Sequence, residues 1–293
     1  MKIFKKALGL PSSSKDNNDN NTQKQKPSSK HPLSQPPIPP GYYGAFPTTF
    51  SIYFSGQSED KKTDYFILGL EGESNGQTVT PLNAIAFYRR TAKHQLTLFS
   101  GPEHSSTSSP VLALAGIERY GGSTHLIALP AQEPGPGGIA ANRIIRLKGG
   151  GGGLKYDIYR FKLDVGHQHT ESFEWRTGNM LRPEENKPFK RWLVRLASGS
   201  DPDSPDREEE EVVGTWVEEE DTTTKQTTAK MGTFRFQGSA ATGYLGAYCT
   251  LGVVVSLLRI NQIHWVTAQA VDTMVESAGK MALGGVAIGA GFI

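Results

Sequence analysis

A mainly β protein is predicted by three features of the sequence: about a dozen short segments rich in aromatic and β-branched residues, Gly, Pro, Ser and Asn between them, and almost no helical periodicity before Gly243. The segments are Thr49 to Ser55, Tyr65 to Leu70, Ala84 to Arg89, Gln95 to Phe99, Val111 to Ile117, His125 to Leu129, Arg143 to Leu147, Lys155 to Leu163, Thr170 to Arg176, Arg191 to Leu196, Val212 to Val217 and Lys230 to Phe236. Strands at this spacing, without helices between them, argue a sheet closed into a barrel or packed as a sandwich rather than parallel βαβ units. In Lys155 to Leu163 the apolar residues alternate, with Tyr156 and Ile158 on one phase and, after a one-residue slip, Phe161 and Leu163.

Before the strands, residues 12 to 45 are Ser, Asn, Asp, Gln, Lys and Pro with scarcely an apolar side chain until Ile38, a composition that cannot offset the entropy of folding. A disordered basic, Pro-rich tail is therefore expected over 1–45, ending in a stiff Pro36-Pro37-Ile38-Pro39-Pro40 spacer. Asp201 to Glu211 is dense in acid and reads as a solvated loop (201–211), and Gly149 to Gly153 as a hairpin connection. After Gly243 helix takes over. Trp265 to Ala282 is amphipathic, whereas the uncharged Tyr244 to Leu258 is either a buried helix or a buried strand, because Val253-Val254-Val255 favours strand and its length favours helix. The domain plan is thus a tail (1–45), a β domain (46–266) and a C-terminal amphipathic helix with an apolar tail (267–293).

The formal net charge of +2 over 293 residues creates no field that would select nucleic acid. Cys249 has no second cysteine to pair with, and the N-terminus lacks an apolar run of signal-peptide length, so a cytoplasmic location is expected.

The chemical motifs fail on context. His167, His169 and Glu171 share one face of a strand, with Glu174 beyond, and would be the ligands of a metal-dependent or small-ligand β-barrel enzyme, but no further ligand set accompanies them. Gly135-Pro136-Gly137-Gly138-Ile139-Ala140 matches a dinucleotide fingerprint only in outline, since no helix follows, and Gly149 to Lys155 lacks the glycine and hydroxyl of a P-loop. Cys249 lies in an apolar run where a thiol is inert. No catalytic residue, metal or cofactor is expected.

Ser172-Phe173-Glu174-Trp175-Arg176, Gly232-Thr233-Phe234-Arg235-Phe236 and Leu251-Gly252-Val253-Val254-Val255-Ser256-Leu257-Leu258-Arg259, in a run of strands followed by an uncharged segment, resemble the tubby C-terminal-like superfamily. Its scramblase-like, LURP-one-related and fungal members are included in the likeness, and Gly279-Lys280-Met281-Ala282 and Ile288 to Ile293 are similar to the closing segment of scramblase-like members. The resemblance implies a closed barrel of about twelve strands around a hydrophobic C-terminal helix, with phospholipid headgroups or a protein as ligand. The cysteine cluster and acidic calcium-associated segment of scramblase-like members have no counterpart beyond Cys249, Asp272 and Glu276, so ion-activated lipid movement is not carried over. No phosphoinositide-binding residue matches by position.

The function expected is a non-enzymatic module at a membrane surface, binding anionic phospholipid, or a protein through the acidic loop or Pro-rich tail. The lipid contacts expected are Lys2, Lys5 and Lys6, which lie opposite Ile3, Phe4, Ala7 and Leu8 on a short amphipathic helix ended by Pro11. A rival is an integral membrane protein spanning through 237–258, a stretch without charge and long enough to cross a bilayer. Burial of Tyr244 to Trp265 inside the barrel is the competing expectation for that segment.

Overall fold

The computed structural model describes residues 42–44, 46–71, 79–88, 95–119, 122–131, 143–150, 158–165, 169–177, 189–196, 210–219 and 229–287, with Ala268 and 270–287 as helical backbone alone. All of them fall within the unit Pro32–Ile293; the unit Met1–His31 lies outside them.

Twelve strands follow one another along the chain: β1 (Thr49–Gln57), β2 (Thr63–Glu71), β3 (Val79–Tyr88), β4 (Leu96–Phe99), β5 (Val111–Ile117), β6 (Thr124–Leu129), β7 (Arg143–Gly150), β8 (Ile158–Val165), β9 (His169–Thr177), β10 (Lys190–Leu196), β11 (Glu211–Glu218) and β12 (Lys230–Phe236). Each pairs antiparallel with the next, and β1 closes the ring on β12 with Phe50 opposite Phe234. A short helix α1 (Gly238–Ala241) and a long one, α2 (Gly246–Ala287), complete the fold.

Barrel size explains the helix. Eight strands enclose a space that side chains alone can fill, and the diameter grows with strand number, so twelve strands leave room for a cylinder about 10–12 Å across. Inward residues of the wall meet α2 directly: Leu163 of β8 packs on Gly252, where a Cβ would stand 2.7 Å from the leucine Cδ2, and Trp175 of β9 donates to Ser256 Oγ at 2.9 Å. Phe50, Phe66, Phe87, Phe173, Trp216 and Phe234 fill the remaining space and are all buried.

Leu245 to Gln262 is buried on every side, apart from a few positions in its first two turns. That settles the ambiguity over Val253-Val254-Val255. Helical valines cost up to about 0.7 kcal/mol each against alanine, while burying each returns about 1.5 kcal/mol or more, so the packed interior overrides local preference. Gly243 and Gly246 redirect the chain between α1 and α2 with φ of +79° and +75°, and nothing lies within 4 Å of a Cβ built on either, so backbone conformation is what requires glycine there.

Three details correct the expectations. In β8 no slip occurs: Tyr159, Phe161, Leu163 and Val165 form one unbroken inward row, and Ile158 sits on the other phase. Both phases carry an apolar residue at the strand start, which made the register ambiguous. β3 begins at Val79 rather than Ala84, passing through Pro81 beside a register shift between Leu68 and Gly69 on β2, where a missing N–H is tolerated. The two segments read separately as Tyr244 to Leu258 and Trp265 to Ala282 run together in the single helix α2.

Candidate functional site

The interior polar groups gather at the two rims of the barrel, which are named here by the path of α2: it enters at the lower rim and leaves at the upper.

At the lower rim Arg195 of β10 faces inward between two carboxylates. Its Nη2 donates to Glu171 Oε1 at 2.6 Å, its Nε to Glu171 Oε2, and its Nη1 to Glu211 Oε2 at 3.3 Å. Glu211 in turn accepts from the Ser239 backbone N–H at 2.6 Å and hydroxyl at 2.7 Å, which ties α1 to the wall. The bonds to Glu171 raise the Arg195 pKa. Burial opposes ionisation of Glu211, but the Ser239 and Arg195 bonds outweigh it and hold that carboxyl below its usual range. His169 Nε2 lies 2.8 Å from Glu171 Oε1.

This arrangement decides the His167/His169 question in part. Glu171 is committed to Arg195, and Glu174 points to the outer face, where Arg160 reaches it at 2.7 Å and Arg176 at 2.6 Å. Those two arginines lower its pKa against the effect of burial. Hence the two glutamates do not converge, and among the described residues no group of three His, Cys, Asp or Glu side chains could hold a metal ion. His167 lies outside the described residues, as do Lys2, Lys5 and Lys6, Pro36 to Pro40 and Asp201 to Glu209. Glu210, the next residue, makes a two-point pair with Arg176 at 2.6 and 2.7 Å. Burial, with the Glu171 charge nearby, pushes the Cys249 thiol up to about 12, so it is not a nucleophile.

The upper rim is built differently. Arg259 of α2 is 3% exposed, and among the described residues its guanidinium donates to neutral acceptors, Gln262 Oε1 at 2.5 Å, Gln95 Oε1 at 2.5 Å and His125 Nδ1 at 3.1 Å, with the Tyr159 phenol near enough to act on its charge. Its buried Nε has no hydrogen-bond partner. Burial lowers its pKa to about 10. Because Arg259 can only donate, His125 must be neutral with Nδ1 as acceptor, and burial together with the Arg259 charge pushes it down to about 3. Across the helix, Arg191 of β10 donates to Asn261 Oδ1 at 2.6 Å and lies over the Phe189 ring at 4.6 Å. Burial raises the pKa of Glu218, with Arg191 opposing it. Trp265 caps this rim, its Nε1 donating to Asp64 Oδ2 at 3.0 Å.

Arg191 stands out in the sequence only as a charge beside Trp192, and Arg195 carries no local signal of an interior role. Arg259 reads as the end of an apolar run, although the uncharged polar residues that follow it, Asn261, Gln262 and His264, are a signal that the helix remains enclosed past the charge.

No family model, no curated protein and no solved structure matches this chain.

Proposed function

We propose that this chain is a non-enzymatic, tubby-like barrel module that docks peripherally on anionic phospholipid headgroups. The observation that supports this reading is the place of the apolar helix. Gly246–Thr267 is the one stretch, among the described residues, long and apolar enough to cross a membrane, and 78% of its apolar 18-residue window is buried inside the protein. Its apolar surface is thus used in packing the barrel, which favours contact with a membrane through surface side chains over a span through 237–258. Ser256 and Asn261 of the helix are engaged by Trp175 and Arg191 of the wall, and the one cysteine is inert, which favours binding over catalysis.

Lys2, Lys5 and Lys6 supply the headgroup contacts, with Ile3, Phe4, Ala7 and Leu8 entering the interface once the segment becomes helical. Each lysine adds about 1 kcal/mol near an anionic surface, so replacing all three by Glu weakens retention by roughly a hundredfold or more. Vesicles containing phosphatidylserine should retain the full chain at low salt and release it as salt rises. Equal retention of a chain lacking residues 1–40 would remove the tail from the reading. No retention on any anionic vesicle would turn the search to a protein partner for the 201–211 loop or the Pro-rich tail.

A further inference from the structure

Arg259 is a cation enclosed in a protein wall with no carboxylate of a described residue beside it, and three neutral acceptors do not cancel its charge. One of its donors, Nε, is buried and unpartnered. Of the three acceptors, Gln95, the residue before β4, is the one that is only half-buried, whereas His125 and Gln262 are buried. Gln95 can rotate its amide, exchanging an oxygen for an N–H that would face an incoming acceptor, while Gln262 is held in place by its Nε2 donating to the Gln95 and Tyr88 carbonyls.

We propose that Arg259, with Gln95 and Gln262, forms a receptor for a small oxyanion, a carboxylate or phosphate group, at the upper rim of the barrel. The anion takes the free Nε–H and displaces the Gln95 oxygen from Nη2, giving the two-point pairing that guanidinium makes with planar or tetrahedral oxyanions. His125, which only accepts toward Arg259 in its neutral form, sets the far wall and keeps Nη2 oriented. The same chemistry is offered by a soluble anion and by a lipid headgroup. None of the N-terminal lysines belongs to this set of residues, so the two readings stand or fall independently.

The test is thermal unfolding of the full chain at constant ionic strength, with chloride exchanged for inorganic phosphate or acetate, and with vesicles of phosphatidylcholine with and without phosphatidic acid. A ligand that binds only the folded state raises Tm by about 5–10 °C at a hundredfold excess over Kd. Response to phosphate or acetate assigns a soluble anion; response to phosphatidic acid alone assigns a headgroup. Gln95→Glu places a carboxylate of the chain itself against Arg259, and should raise Tm without ligand while abolishing the response. Arg259→Met should abolish the response as well, whereas the triple Lys2, Lys5 and Lys6 to Glu variant should keep it for soluble anions. The proposal is overturned if no anion raises Tm, or if Gln95→Glu responds like the unaltered chain.

Discussion

The two rims hold their buried cations in opposite ways. Arg195 sits between Glu171 and Glu211, so its charge is matched and its removal strands two carboxylates in a partly dry space. Arg259 sits among amides and an imidazole, so its removal strands only neutral groups and takes away a charge that was itself costly to enclose. What a buried arginine contributes to stability therefore depends less on the arginine than on what surrounds it.

The largest effect should come from disturbing the helix that both rims share. Val254→Asp or Leu257→Asp places an unpaired carboxyl in the core and should cost several kcal/mol, about enough to unfold the chain, read as lost soluble expression or lost cooperative melting. Unchanged thermal stability would mean that this segment is not enclosed. The comparison itself is tested by Arg195→Met, expected to cost about 3–5 kcal/mol, against Arg259→Met without added anion, expected within about 2 kcal/mol of the unaltered chain. Equal losses in urea unfolding would erase the distinction between the rims.

Acid provides a smaller, graded effect centred on His125 at the upper rim. His125 titrates at about 3 when folded against an ordinary 6.5, so the unfolded chain takes up the proton first as pH falls. Its contribution is complete above about pH 6.5 and declines below that by about 1.4 kcal/mol per pH unit until pH approaches 3. Glu174 and Glu211, both held low, begin to lose theirs only below their ordinary 4.5; above it act His125, His104, whose pKa burial also lowers, and Glu218, whose pKa burial raises and which acts in the opposite sense. His125→Asn keeps an acceptor for Arg259 and should flatten the slope between pH 4.5 and 6.5, while His104→Asn should change it less. The smallest effect is expected at mid-barrel: Ser256→Ala removes the acceptor of Trp175 Nε1 and should cost about 1–2 kcal/mol, measured by chemical denaturation.

The strands were legible because alternation and turn residues are local signals. Every predicted strand is present in the barrel, and the errors fall where local signals conflict: Ile158 against Tyr159 for the inward phase, Pro81 against continuation of β3, three valines against helix. The interior sites were not legible for a different reason. Arg195 meets Glu171 through the register of β10 on β9, and Arg259 meets Gln95 and His125 through the rotation of α2 within the barrel, and no short window of sequence contains both members. His169 and Glu171 were correctly placed side by side, but what Glu171 does is decided by a residue on the neighbouring strand.

Closure of the wall also imposes an order on synthesis. The seam joins Phe50 to Phe234, and the helix that fills the interior comes after both in the chain. Until Phe234 has left the ribosome, β1 has only one neighbour and a row of unpaired N–H and C=O groups, and the inward faces of eleven strands have nothing to pack on. At about 5–20 residues per second that interval lasts for roughly ten seconds or more after β1 emerges, and contacts this distant in sequence form slowly even then. A nascent chain of this fold should thus depend on chaperones that shield strand edges, and dependence should end abruptly when α2 becomes available to enter the barrel.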